Sequence, residues 1–389
     1  MDLDAFGWLL TDAGQELLAE AEVALDQGPL KAADELRKTT TSERAAVALS
    51  QAELRRKGAE KFGALAAHLY FTPDGLEQAT RLPVAEHRAA RLKAFEAASV
   101  IDLMCGIGGD LIAFGRAGLT AAGVDISEER AAVASANLDA LHLSGVVQIA
   151  DATTIDSSPF AVAFADPARR SGRGRELATA GWTPPWEWVS TLFQRDSCVK
   201  VAPGIDHSLI PDGVEAEWVS DHGEVKEAAL WSGALATVSR RATVIGDGGL
   251  ATLTDEDDPG PETVGVSPVG DYLYEPDGAV IRAGLVTAVA SGVAGSLIDE
   301  HIAYVTSASS FKTPFARSYA VLETLPYREK QLKAALRERG IGRLTIKKRG
   351  VDIVPEELRK RLDLKGDNEG TIVMTRASGD GICLLVEPF

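Results

Sequence analysis

The sequence predicts an α/β protein in three parts: a helical N-terminal region, a parallel sheet covered by helices on both faces, and a small α+β domain at the C-terminal end. Three observations predict it. Apolar residues recur at helical spacing through the opening region, as at Leu9, Leu10, Leu17, Leu18 and Val23. From Ser99 onward, short runs that are apolar throughout alternate with helix-like segments, the pattern of strands buried on both faces. The closing stretch mixes strand-like and helix-like segments. A chain of 389 residues is too long for one simple core.

The elements follow in order. Ser50 and Glu53 form a capping-box pattern ahead of a helix carrying Arg55, Arg56, Lys57 and Lys61. Val100 to Met104 reads as the first strand, ended by a glycine-rich turn and a helix from Leu111 to Arg116. A second strand over Thr120 to Asp125 leads to a helix from Ser127 to Leu141. Strands at Val146 to Ala150, Ala161 to Ala165 and Cys198 to Ala202 continue the series. Gly213 to Ser220 and Lys226 to Trp231, joined by Asp-His-Gly, read as an antiparallel pair. The Gly-, Asp- and Pro-rich stretch from Gly246 to Gly270 reads as a linker, and Ala283 to Ile298 as a buried helix. In the tail, strands are expected at Ser318 to Leu322 and Arg343 to Lys347, helices at Arg328 to Arg339 and Pro355 to Leu362, and a hairpin of Thr371 to Thr375 with Gly381 to Val386. The expected parts are residues 1–95, 96–246, 247–315 (a linking and docking segment) and 316–389.

Composition bounds the partners. With 45% hydrophobic and 25% charged residues, the chain is neither collagen-like, coiled-coil nor wholly disordered. The net charge of −17 opposes a general duplex-coating role. The charge is uneven: from Ala316 onward 15 Lys and Arg face 11 Asp and Glu, leaving that stretch at +4 and the remainder at −21. A basic tail on an acidic body keeps nucleic acid open as a local partner. Cys105, Cys198 and Cys383 are odd in number and widely spaced, so neither a disulfide framework nor a metal site is expected, and a reducing, cytoplasmic setting fits. Ala283 to Ile298 is too short and too polar for a membrane span.

The chemistry concentrates at the strand ends. Asp102-Leu-Met-Cys105-Gly106-Ile-Gly108-Gly109-Asp110 follows the first strand, where a ligand must approach the backbone closely. The spacing is G-x-G-G, unlike the G-x-G-x-x-G of dinucleotide sites, which disfavours an NAD-dependent oxidoreductase. A carboxylate beside these glycines suits a ligand with a cationic amine, as S-adenosylmethionine has. Asp125 ends the second strand where a ribose diol would lie, and Asp151-Ala152 ends the third, placed for an adenine amine. Asp166-Pro167-Ala168-Arg169-Arg170 follows the fourth strand at the expected acceptor side, with Arg173 and Arg175 beyond.

The glycine loop, Val124-Asp125-Ile126-Ser127 and Asp166-Pro167 together resemble a class I S-adenosylmethionine-dependent methyltransferase. The string from Asp102 to Asp110 is particularly similar to the trimethylguanosine synthase branch, which methylates an exocyclic guanine nitrogen. Arg343 to Gly350 and the mixed domain around it resemble the THUMP-like C-terminal domain of bacterial methyltransferases. The resemblance spans nearly the whole chain. It implies a Rossmann-like methyltransferase sheet and S-adenosylmethionine as cofactor. It places Asp102, Cys105, Gly106, Gly108, Asp125, Ile126, Asp151 and Ala152 at that cofactor, with Phe71 and Thr80 from a preceding segment folded over it. Asp166, Pro167 and Arg169 then serve the acceptor, and Arg170, Lys347, Lys348 and Arg349 hold an RNA substrate by its phosphates.

One departure is specific. Relatives that methylate amines carry Pro-Pro and an aromatic after the acid, whereas Ala168-Arg169 follow Pro167 here. Asp-Pro-x-Arg is also similar to uridine C5-methyltransferases, but the matching strand end, Val201-Ala202-Pro203, has no thiol. The expected function is methyl transfer to a nitrogen of an RNA base. The alternatives are a small-molecule or protein methyltransferase and a catalytically silent RNA-binding relative.

Overall fold

The computed structural model describes residues 1–169 and 181–389. Two compact units emerge. The first comprises residues 1–201, 205–214 and 229–236; the second comprises 202–204, 215–228 and 237–389.

The first unit opens with helices Leu3–Leu9, Asp12–Ala24, Pro29–Leu36 and Ser42–Phe62. Asp2, Thr11 and Thr41 start three of them by accepting a hydrogen bond from a first-turn amide. Ser50 therefore lies inside the long helix rather than at its start; helical propensity upstream, with Thr41 as the cap, extends the element past the Ser50–Glu53 pattern.

Behind these helices, β1 (Ser99–Asp102), β2 (Thr120–Asp125), β3 (Gly145–Ile149) and β4 (Val162–Ala165) form a parallel sheet with the strand Ser197–Val201. The order across it is β3, β2, β1, β4, then Ser197–Val201. The direction of winding thus reverses between β1 and β4, and ligands bind in the crevice beyond the strand ends at such a reversal. Helices Gly109–Arg116 and Glu128–Ala140 follow β1 and β2. One of their faces packs on the sheet through Leu111, Phe114, Ala134 and Leu138. The other, through Ile112, Val133 and Ala136, joins Leu9, Leu18, Ala48 and Phe71 of the helical region.

Two buried amides fasten these layers. Gln51 Nε2 donates to the Phe71 carbonyl (2.7 Å) and its Oε1 accepts from the Phe71 amide (2.9 Å). Asn137 Oδ1 accepts from the Tyr70 amide (2.7 Å), while its Nδ2 donates to the carbonyls of Tyr70 (3.0 Å) and Ile107 (2.8 Å). Both side chains are 1% exposed, so water does not compete for these bonds.

The second unit contains strands Glu215–Asp221 and Arg240–Gly246 paired in parallel, with Gly249–Thr254 antiparallel to the latter. The stretch expected as a linker therefore carries a strand. Ala283 to Ile298 is also divided: helices Gly278–Ala283 and Val286–Gly292 flank Gly284, whose φ of 69° breaks the helical path, and Ser296–Leu297 is a strand. The closing sheet has seven strands, including Ala316–Leu325, Ile341–Lys348, Asn368–Ala377 and Asp380–Pro388, the last two a hairpin. Helices Glu329–Glu338 and Pro355–Leu362 cover one face through Leu332, Leu336, Leu358 and Leu362.

Asn137→Ala leaves the buried Tyr70 amide and two carbonyls without this partner, a loss of about 2 kcal/mol or more. The full chain should melt measurably lower by differential scanning calorimetry, and an unchanged transition of the first unit contradicts the fastening role.

Candidate active site

At the carboxyl ends of β1, β2 and β4 the first unit holds a cavity of about 420 Å³. Its walls come from the glycine turn after β1, the ends of β2 and β3, Asp166 after β4, and the stretch Gly75 to Thr80 ahead of the sheet. Thr183, Pro184 and Pro185 complete the wall; the backbone hairpin of Ala168–Arg169 with Trp182–Thr183 brings them beside Asp166.

Of the residues expected at a cofactor, Thr80, Asp102, Cys105 and Gly106 line this cavity, as do Asp125, Ile126, Asp151 and Ala152. Gly106 has φ of 54°, which favours glycine. Gly108 is not in the wall. A Cβ there would come within 3.3 Å of Ala134 Cα, so it permits close packing of the turn on helix Glu128–Ala140. Phe71 is a correction: it is fully buried against Phe62 in the helical core, away from the cavity. Its apolar ring serves packing, and Thr80 alone of that pair reaches the wall.

The acids differ in what holds them. Asp102 is 2% exposed and accepts one hydrogen bond, from the Met104 amide (3.2 Å), with no cationic partner within ion-pair distance among the described residues. Burial first, and then the charge of Asp110, pushes its carboxyl well above the ordinary value. Asp110 has its cation: the buried Arg88 guanidinium bonds its Oδ1, and Thr80 Oγ1 donates to its Oδ2 (2.9 Å). Asp125 accepts from the Gly106 and Ser127 amides (3.0 and 2.8 Å) and from Arg130 Nε (3.1 Å). Asp151 is exposed and caps a short 3-10 turn, taking the Thr153 amide and hydroxyl (2.9 and 2.8 Å), which lower its carboxyl below the ordinary value. Asp166 Oδ2 accepts from Lys200 Nζ at 2.6 Å.

Sequence reading missed the Thr183-Pro184-Pro185 wall and the Arg88–Asp110 pair. Neither carries a periodic or motif signal, because both arise from distant segments meeting. Cys105 is 6% exposed and burial raises its thiol well above the ordinary value, which suits packing rather than nucleophilic chemistry. Pro167 is buried but absent from the wall. The Arg169 side chain and Arg170, with Arg173 and Arg175, lie outside the described residues.

In the second unit Lys347 Nζ is held by Glu275 Oε2 (2.6 Å) and lies over the Tyr319 ring (5.6 Å). The residue expected as a phosphate contact is thus a partly buried ion pair with Glu275. Lys348 is exposed, and Arg349 stacks over Tyr304 at 5.6 Å. No helix among the described residues is long and apolar enough to cross a membrane.

The raised Asp102 carboxyl has a consequence for stability. The folded chain keeps this proton at pH values where the unfolded chain has lost it, so stability is lost as pH rises through that window. Asp102→Asn has no proton to lose. It should raise the melting temperature of the ligand-free protein at pH 8, and the gain should shrink as pH falls toward the ordinary carboxylate range. A gain independent of pH, or a loss at pH 8, contradicts the assignment.

Comparison with known proteins now places the chain. Residues 316–388 match a family model described as THUMP domain-like, and residues 2–58 match a domain described as one of unknown function. The chain is 38% identical to uncharacterised S-adenosylmethionine-dependent methyltransferases of Mycobacterium tuberculosis strains H37Rv and CDC 1551, over 338 residues, 83% of this chain and 90% of each relative. A crystal structure of a protein from Porphyromonas gingivalis W83, provisionally named a methyltransferase, superposes with a TM-score of 0.76 at 22% identity, covering 96% of this chain and 98% of that one. The last likeness shows a shared fold, and the identity to the mycobacterial proteins shows more: this chain belongs to the S-adenosylmethionine-dependent methyltransferase family, with a THUMP-like domain at its C-terminal end.

Proposed function

We propose that the protein transfers a methyl group from S-adenosylmethionine to a nitrogen of an RNA base. The observation that carries the cofactor half is Asp102, a buried carboxylate that faces the cavity and has no cation within ion-pair distance among the described residues. Burying such a group is costly, and the α-ammonium of the cofactor supplies the missing charge. A volume near 420 Å³ lies in the range of small-molecule sites. The donor set therefore fits the group. When bound, the cofactor offers an electrophilic methyl on a positively charged sulfur.

The chain's own residues divide the remaining work. Asp102 holds the ammonium; Asp125, fixed by two amides and Arg130, receives a ribose hydroxyl on the remaining lone pair of Oδ2. Asp151 Oδ2 has no hydrogen-bond partner among the described residues and accepts from the adenine amine. Asp166 Oδ1 has no hydrogen-bond partner among the described residues, and it accepts an N–H of the acceptor, aligning the nitrogen lone pair with the methyl. The acceptor half rests on Asp166 beside the cavity and on the THUMP-like match with its local charge of +4. Lys348 and Arg349 remain the phosphate contacts of that reading. The use of Lys347 by Glu275, together with the charge of −21 on the rest of the chain, favours a second reading: a small-molecule or protein acceptor.

Two measurements test this. S-adenosylhomocysteine should raise the melting temperature of the wild type more than that of Asp102→Asn at equal concentration, and NAD should raise neither; stabilisation by NAD alone overturns the cofactor assignment. With labelled S-adenosylmethionine and total RNA, Asp166→Ala should lose about a hundredfold in labelling while keeping the thermal shift. Equal labelling by both proteins removes Asp166 from the mechanism, and labelling of protein or small molecules alone selects the second reading.

A further inference from the structure

We propose that Lys200 is a positioning residue for methyl transfer: it pins Asp166 by one oxygen and cancels its charge, so that the acceptor side takes an uncharged nitrogen. This rests on the function proposed above.

Lys200 lies on the strand Ser197–Val201, one strand across from β4, in which Ala165 is registered against Val199. That register puts the side chains of Asp166 and Lys200 next to each other at the cavity end of the sheet. Lys200 Nζ donates to Asp166 Oδ2 at 2.6 Å and to Thr80 Oγ1 at 3.1 Å. The Thr80 hydroxyl has one proton, and it goes to Asp110 Oδ2 (2.9 Å), so the direction of the chain is determined: Lys200 donates to Thr80, and Thr80 donates to Asp110. Asp110 is in turn held by the buried Arg88. Lys200 and Asp166 are 16% and 33% exposed, sheltered enough for the pair to keep one geometry.

The consequence is both steric and electrostatic. With Oδ2 occupied, the carboxylate cannot rotate freely, and Oδ1 is presented to the cavity in one orientation. Without a cation, an acid at this point would attract an ammonium, whose nitrogen has no lone pair with which to attack a methyl. Asp102 lies near enough to feel the charge of Asp166 and would strengthen that attraction. Paired with Lys200, Asp166 instead acts as a neutralised hydrogen-bond acceptor, and an uncharged amine or ring nitrogen is the better guest.

The test uses the full-length protein as wild type, Lys200→Met and Lys200→Arg. By isothermal titration, Lys200→Met should bind S-adenosylhomocysteine within about threefold of wild type, while its kcat on total RNA falls about a hundredfold at unchanged KM for the cofactor. Lys200→Arg, which keeps the charge, should recover at least about a tenth of the wild-type rate. In crystals with S-adenosylhomocysteine, the Asp166 carboxylate of Lys200→Met should leave its wild-type position. Wild-type turnover by Lys200→Met, an arginine variant as slow as the methionine variant, or an unmoved Asp166 overturns the proposal. If the wild type labels no RNA, the RNA reading fails, and the position of Asp166 in the crystals still decides the role of Lys200.

Discussion

The structure depends on one electrostatic constraint: Asp102 is a carboxylate almost sealed from water, facing a cavity, with no cation within ion-pair distance among the described residues. Asp110 has Arg88, Asp125 has Arg130 and Asp166 has Lys200. Asp151 has none either but is exposed to water; Asp102 is the buried exception among the described residues, and burial together with the charge of Asp110 pushes its carboxyl up. A fold tolerates such a site when the surrounding packing is rigid enough to prevent its collapse, and when a ligand relieves the cost.

The rigidity comes from elements remote in sequence. Gln51 and Asn137 grip the backbone of Tyr70 and Phe71 from opposite layers. Thr72 then starts the helix Pro73–Gln78, and Gly75 passes Ile107 so closely that a Cβ would come within 2.4 Å of its Cγ2. Lys61 Nζ holds the carbonyls of Glu77 and Ala79. The cavity wall from Gly75 to Thr80 is thus fixed from three sides before Thr80 reaches Asp110. The helical region is therefore part of the site's architecture, not an appendage to the sheet.

Much of this was legible in the sequence where local rules govern. Wholly apolar runs located β1 to β4 within two residues; β1, β2 and β4 are largely buried, which leaves little freedom in composition, whereas β3 is an exposed edge strand despite its apolar run. The turn from Asp102 to Asp110 was legible because a ligand-facing backbone demands glycine. The tail hairpin was legible from its alternation. What escaped was decided by tertiary contact. Phe71 looked like a cofactor lid from its position ahead of the sheet, but a hydrophobic core took its ring. Lys347 looked like a phosphate contact within a basic run, yet Glu275, distant in sequence, holds it. Gly284 divides what composition alone presents as one helix. Arg88 acquires meaning only through Asp110.

The most direct test of the central claim is a double-mutant cycle on binding, with S-adenosylhomocysteine and its analogue lacking the α-amino group titrated into wild type and Asp102→Asn. If Asp102 grips the ammonium, removing either partner should weaken binding by about tenfold or more, and removing both should cost little beyond the first loss. Losses that simply multiply would show that the acid and the amine do not meet, and would contradict the account.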